Sequence, residues 1–591
     1  MRKFLFLLIT NFAAVSLHAQ VSVVATSGTT TGTYTTLKGA FDAINAGTHQ
    51  GAINISITGN TTETAVANLN ASGGAVNYSS VLIKPAAGVN AVITSSDPVG
   101  AIKFNGADNV TIDGSNNGTS SRNLSIINTY AAITGTTPVV IWVSSTATDG
   151  ADNITVKNSN ITGATSAGTI GGILVSGTTL GAAEVPNNNF TAINNAITKA
   201  QNGIFAVGNA TNTDTGWIIR NNIVGSTVTA EKMLYRGLAV QNAKNFEVSG
   251  NTIMGVSLTA TSTNTTQGIL IGAAVTNGTI FNNKISDIKQ PNPNGYGAVG
   301  LYFNSNVAAS NLLIYNNVVS DVAGMGYALA GGLADNGNGI VIGNGGGYKI
   351  YYNTVVMNTN QTNAGRPSAL NVLSTVTAAG AIDLRNNIFV NSQTQAGEKY
   401  TIYSGAANTV FSNINYNNYY STGTNLGYIG SARASLADIQ TGFGGNVNSL
   451  NVQPMFVSAS DFHLAATGNN TLDNKGTPIV EVTTDADGVA RNATTPDLGS
   501  YEFTSTLAVQ EVGKVTKISF YPNPVVDYLN VNNDSMKIMT VEIYGASGQR
   551  MIKENVNSEK AVIDLRSLVS GVYILKVSTG KDSQTFKIIK K

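Results

Sequence analysis

Trp217-Ile218-Ile219-Arg220-Asn221-Asn222-Ile223-Val224 returns, reworded, as Leu312-Leu313-Ile314-Tyr315-Asn316-Asn317-Val318-Val319 and as Ile382-Asp383-Leu384-Arg385-Asn386-Asn387-Ile388-Phe389. The common content is two apolar residues one apart, then Asn, then another apolar residue two places on. With the second Asn as marker, the slot falls at Asn195, Asn222, Asn251, Asn283, Asn317, Asn353, Asn387 and Asn418, in steps of 27 to 36 residues. A repeat of that length means a solenoid, a propeller or an array.

A second refrain, Gly followed by apolar-x-apolar, precedes most slots, as in Gly237-Leu238-Ala239-Val240, Gly268-Ile269-Leu270-Ile271 and Gly300-Leu301-Tyr302-Phe303. Each repeat therefore holds two or three short strands of period two, separated by Gly/Asn/Thr turns, with no room for a helix. A propeller blade needs four strands in such a length, so stacked coils fit better. In a stack, equivalent positions lie about 4.8 Å apart, and an Asn column can hydrogen-bond amide to amide. Asn also tolerates a left-handed corner, so both properties are assigned to the slot itself. The pattern resembles right-handed parallel β-helix repeat proteins of the pectate-lyase-like architecture. That resemblance implies a fold and no reaction.

The 591 residues allow two or three domains. Only 11% are charged and the formal net charge is +1, so no electrostatic footprint for nucleic acid exists. Cysteine is absent, which excludes disulfides and thiolate metal sites. Arg2-Lys3, an apolar run from Phe4 to Leu17 and Ala19 before Gln20 read as a secretory signal, leaving no membrane span in the mature chain. Around Leu37, Phe41 and Ile44 the spacing predicts a helix, capped by Thr35 or Thr36 and ended by Gly47. A first coil exposes a raw apolar cross-section, and this helix is read as its lid.

After Tyr420 the refrain dissolves. Pro454-Met455-Phe456-Val457, Asp461-Phe462-His463-Leu464 and the stretch from Thr484 to Phe503 resemble the segment that closes many secreted bacterial β-helix domains. From Val515 to Lys591 there are 18 charges in 77 positions, against 45 in the 495 from Gln20 to Lys514. Ile518-Ser519-Phe520-Tyr521-Pro522-Asn523-Pro524, Val541-Glu542-Ile543-Tyr544, Gly571-Val572-Tyr573-Ile574-Leu575 and Phe586-Lys587-Ile588-Ile589 alternate as strands of a small β-sandwich. In this order, at the C-terminus, they resemble the sorting domain of the type IX secretion system of Bacteroidetes, which implies that secretion machinery as a partner.

The predicted layout is all-β: a right-handed parallel β-helix solenoid with an N-terminal capping helix, followed by a small C-terminal β-sandwich. Its parts are a signal peptide, 1–19; cap and first coils, 20–105; β-helix with closing segment, 106–503; a connector, 504–514; and the sorting domain, 515–591. The mature protein is expected to be secreted or attached to the outer surface after export to the periplasm.

Catalytic groups are hard to find. Charges in the coils stand singly, as at Asp287, Asp321, Asp335, Lys349 and Asp383, and no second His or Cys is spaced as a metal partner. Asn212-Thr213-Asp214-Thr215-Gly216 superficially matches an Asn-Thr-Asp-Gly motif of pectin-hydrolysing β-helices but carries an inserted Thr, and reads as a turn. No catalytic residue, metal ligand or cofactor is assigned. Asp485 and Asp487 with Gly488 offer carboxylates to Ca²⁺, but read in preference as an Asp-Gly turn with Arg491 paired to a carboxylate.

Residues five and three before each slot, such as Trp217 and Ile219, are expected inside. Residues two before it are then outside: Arg220, Phe281, Tyr315, Tyr351 and Arg385 form a row that reads either as a glycan-binding strip or as ordinary strand aromatics. Three readings follow. The first is a non-enzymatic surface protein binding an extracellular polysaccharide. The second is a polysaccharide lyase or glycosidase whose groups meet only in the fold, which co-location of Asp, Glu, Lys and Arg in one outer cleft would favour. The third is a purely structural solenoid.

Overall fold

The computed structural model of the chain describes residues 19–131, 136, 138–260, 264–294, 296–325, 336–361, 365–506, 518–533, 536–579 and 583–591. The expected signal segment, except its last residue, and most of the expected connector lie outside these. The chain divides into two compact units, Met1–Leu507 and Ala508–Lys591.

The first unit is a solenoid of about 11 turns. Among the described residues its coils contribute one short strand each to three long sheets of 14, 12 and 13 strands. One turn runs through Asn202–Val207 in the third sheet, Ile218–Arg220 in the first and Ile223–Val224 in the second, before Arg236–Gln241 resumes the third. Register is strict because each coil repeats the same apolar positions. Ile219, Val248, Ile280, Ile314, Ile350 and Leu384 pair in succession and line the core.

Two columns explain the two refrains. At the corner between the first and second sheets, Asn195, Asn222, Asn251, Asn283, Asn317, Asn353 and Asn387 are all fully buried. From Asn222 on, each Oδ1 accepts from the backbone N–H and the side-chain Nδ2 of the preceding rung, as Asn317 does from Asn283 at 3.1 and 2.9 Å. Each Nδ2 also donates to a strand carbonyl, here Ile280 at 2.9 Å. Buried amides are thus satisfied rung by rung.

The ladder corrects the expectation in two places. In the last coil the rung is Asn417, which receives Asn387 N and Nδ2 at 3.0 Å, while Asn418 turns away to Val452 at 2.8 and 2.9 Å. The left-handed backbone lies on the residue before each rung, at Asn194, Asn221, Gly250, Asn282, Asn316, Tyr352, Asn386 and Tyr416, with φ from 54° to 63°. Rotation there lets the following amide point inward along the stack.

The glycine refrain belongs to the third sheet. A Cβ on Gly203 would stand 2.2 Å from Val224 Cγ1 and 2.5 Å from the Gly237 carbonyl, and Gly237, Gly268, Gly300 and Gly339 repeat the collision. In these coils glycine lets the third sheet press onto the second-sheet side chains.

Both ends are closed. Helix Leu37–Asn45 buries Leu37, Ala40, Phe41 and Ile44, with Thr36 Oγ1 accepting from Gly39 N. The buried Glu63 carboxylate accepts from Leu37 N and Lys38 N, both at 2.9 Å, satisfying two free donors at the positive end of the helix. At the other end helix Leu436–Phe443, which the repeat pattern did not predict, carries a capping box between Ser435 and Asp438.

Residues 450–506 then fold back over the outside of the coils. Phe462, Leu464, Leu472, Leu498 and Tyr501 pack on the outward Val318, Val356, Ile388 and Val390 of the second sheet. Ile479 and Val482 pack on Tyr351 and Tyr352 beside the first. Strands such as Thr354–Met357 and Ile388–Asn391 are buried on both faces, as their unbroken apolar runs indicate.

The second unit has two antiparallel sheets. One joins Ile518–Tyr521, Tyr528–Asn533 and Lys560–Asp564; the other joins Arg550–Ser558, Ile538–Tyr544, Gly571–Thr579 and Ser583–Lys590. Leu529, Val531, Val541, Ile543, Ile563, Leu575 and Ile588 form a core of their own.

Candidate functional site

The outward row is engaged with itself. Tyr351, expected on the surface, is 2% exposed under Ile479 and Val482, so it is withdrawn as a binding residue. Its hydroxyl donates to Asp383 at 2.7 Å, and burial, then that carboxylate, raises its pKa. Arg385 lies over the Tyr351 ring at 4.9 Å and forms two bonds to Asp383 at 2.7 and 2.8 Å. Arg220 pairs with Glu247 at 3.6 Å. Phe281 and Tyr315 stack at 4.8 Å with an interplanar angle of 1°. Stacking along the solenoid axis covers one face of each of these two rings with the other.

Within the Asn212–Gly216 stretch, expected as a turn, Asp214–Thr215 instead form a short strand paired in parallel with Ala243–Lys244. Asp214 is fully buried and its carboxylate accepts from Asn187 N and Asn209 N, both at 2.7 Å. Burial outweighs these bonds and pushes its pKa up to about 7 from an ordinary 3.8. A raised folded-state pKa stabilises the protonated form, so this contribution is complete below about pH 4 and is lost as pH rises through about 7. The loss is on the order of 2–4 kcal/mol. Thermal midpoints measured from pH 4 to 8 should therefore fall more steeply for the parent than for Asp214→Asn. Parallel curves would contradict this.

Asp485 and Asp487 serve a turn. Asp485 accepts from the backbone N–H groups of Asp487, Val489 and Glu502 at 2.8 to 2.9 Å. Arg491 meets Glu502 at 2.8 Å, the carboxylate partner expected of it. Asp487 reaches His463 instead.

Where the closing segment leaves the second sheet, a cleft of about 550 Å³ opens. Its floor comes from successive coils through Thr227, Lys284, Ser286, Asp287, Ser320, Asp321 and Asn358, and its wall from Ser460, Asp461, His463 and Tyr501. Asp287 and Asp321 hold the same turn position in consecutive coils, with φ of 52° and 53°, and Ile288 N donates to Asp321 O at 3.2 Å. Each has a lysine, Lys232 at 2.6 Å from Asp287 and Lys289 on Asp321, where Thr359 Oγ1 also donates. His463 Nδ1 meets Asp461 and its Nε2 meets Asp487 at 2.8 Å, while its ring stacks on Tyr501 at 3.7 Å. Partial burial works against the imidazolium, but the two carboxylates outweigh it and raise its pKa. Lys284 Nζ lies 5.9 Å from the Tyr501 ring centre. Asp461 is held below the usual carboxylate range by His463 first, with Lys284 adding to it.

Sequence reasoning noted Asp287 and Asp321 only as scattered charges and did not connect them with Lys284 or His463. The available signal was the apolar runs at Val318-Val319 and Ile388-Phe389-Val390, whose outward members announce a cover.

In fold, the chain is similar to the enzymatically active domain of bacteriophage CBA120 tailspike protein 2, at 11% identity and a TM-score of 0.29, over 93% of this chain and 67% of that one. It is also similar to full-length tailspike protein 2 from Escherichia coli O157:H7 bacteriophage CAB120, at 11% identity and a TM-score of 0.24, over 90% of this chain and 59% of that one. No curated protein matches the sequence. Residues 519–591 match the secretion system C-terminal sorting domain, so the solenoid carries a type IX sorting tail and is exported, to be secreted or attached at the outer surface.

Proposed function

We propose that the exported solenoid binds an extracellular polysaccharide in the cleft beside the closing segment, without turning it over. The observation that carries this is the convergence of hydroxyl, ammonium and carboxylate groups from Lys284, Ser286, Asp287, Ser320, Asp321 and Ser460 around about 550 Å³. That is a volume suited to a small oligomer segment, and polar groups of this kind match sugar hydroxyls. Both nitrogens of His463 are occupied by carboxylates, and Asp287 and Asp321 each face a lysine. None of these stands ready to move a proton to or from a substrate.

A second reading, a polysaccharide-active enzyme, is favoured by one observation: Asp287, Asp321, Asp461, His463 and Lys284, scattered in sequence, share one outer cleft. A glycan array on the full mature chain separates the two. Bound polymers are then incubated with the protein and assayed for reducing ends and unsaturated products. Binding without products is the expected result, lowered at least about tenfold in Ser460→Trp, which fills the cleft from its exposed wall. Product release would establish the second reading, and unimpaired binding by Ser460→Trp would remove the cleft as the site.

A further inference from the structure

Resting on the polysaccharide-binding reading, we infer that the cleft selects an uncharged chain over an acidic one. The inference comes from how its charges are arranged. Asp287 is matched by Lys232 and Asp321 by Lys289. His463 presents a ring nitrogen to each of two carboxylates, Asp461 and Asp487. Carboxylates only accept, so both nitrogens carry hydrogen and the ring is an imidazolium. The three groups together hold one net negative charge, and Lys284, beside Tyr501 and close enough to act on Asp461, supplies the compensating positive charge. Among these groups four carboxylates meet three lysines and one imidazolium, so they carry no net charge between them.

A cleft of that kind offers a polyanion little. Attraction of an acidic polymer grows with cations that lack a protein partner, and each cation here except Lys284 has a carboxylate against it. An acidic sugar would also have to shed its water beside Asp287 and Asp321 on consecutive coils. A neutral sugar meets no such opposition. Carboxylates neutralised by lysine still have free lone pairs for sugar hydroxyls, which donate in charge-assisted bonds, and Ser286 and Ser320 add a donor and acceptor each.

The test compares dextran and galactomannan with polygalacturonate and dextran sulfate on the full mature chain, at low and high salt. Expected is a preference of at least about tenfold for a neutral polymer, with an affinity that changes less than about twofold between 50 and 500 mM NaCl. Asp321→Asn leaves Lys289 without its carboxylate, so it should weaken the neutral polymer and gain salt-sensitive binding of dextran sulfate. Asp321→Asn with Lys289→Met restores neutrality and should lose that gained binding, which keeps the test decisive if the single variant folds poorly. Lys284→Met removes one donor and leaves the cleft net negative, so it should weaken the neutral polymer and gain no binding of either acidic one. Tight, salt-sensitive binding of polygalacturonate or dextran sulfate by the parent, lost in Lys284→Met, would overturn the selectivity and leave polysaccharide binding intact. Failure of all four polymers and of the array to bind would overturn the binding reading, and the selectivity with it.

Discussion

Asn317→Leu should destabilise the solenoid by about 3–5 kcal/mol, a loss at the top of the range for one substitution. The side chain makes four bonds: it accepts from Asn283 N and Nδ2, and donates to Ile280 O and Asn353 Oδ1. Leucine keeps the volume but leaves the Asn283 N–H, the Ile280 carbonyl and the Asn353 amide oxygen without those partners inside the stack. Buried groups so orphaned are more costly than the mean value of a hydrogen bond. The neighbouring corner behaves differently. Asn282 has φ of 55° and a side-chain oxygen without a partner, and the preceding coil uses Gly250 at the same place. Asn282→Gly should stay within about 0.5 kcal/mol of the parent, since glycine adopts this backbone without strain. Denaturation midpoints of the two variants check the contrast, and equal small shifts would show that the ladder contributes nothing.

The second large effect is expected at Arg491, whose side chain is 3% exposed. Its Nη1 bonds Glu502 at 2.8 Å, its Nη2 bonds Asn316 Oδ1 at 2.7 Å and the Gly499 carbonyl at 3.0 Å, and it lies 3.7 Å over the Tyr352 ring. One guanidinium thus joins the closing segment to the corner of the coils. Burial lowers its pKa, yet the Glu502 carboxylate opposes that loss of charge. Arg491→Met leaves Glu502 nearly buried without its cation, an imbalance worth about 3–5 kcal/mol. The loss should be local. Hydrogen exchange should rise more than about tenfold in 477–503 and in the covered strand Tyr348–Tyr351, while Ile218–Arg220, several coils away, keeps its protection. Unchanged exchange in 477–503 would mean that apolar packing alone holds the segment.

The covered strands also explain why the outward aromatics mislead. Tyr351 and Tyr315 have the alternation of exposed strand positions, and alternation reports only which side of the sheet a residue occupies. Whether that side meets water depends on another part of the chain. Ile479 and Val482, more than a hundred residues downstream, carry no repeat that would announce them as its cover. The error at Asn418 has a different origin. In the last coil Asn417 and Asn418 are adjacent, and Tyr416 takes the left-handed place usually held by Asn or Gly. A marker based on Asn alone slips by one.

The sequence by itself determined the coil, the inward set, the N-terminal lid and the sorting tail, because each depends on neighbours at a constant period or on local propensity. Stacked positions share one environment, so the same residue types recur and reveal the environment by repetition. Only the tertiary structure decided which outward face is buried, that Asn316 supports the closing segment through Thr484 and Arg491, and that Lys284, Asp287, Asp321 and His463 line one cleft. Those contacts join the coils to a segment that is met once and folds back across them. A contact made once leaves no periodic trace, and its partners are set by how two finished surfaces fit together.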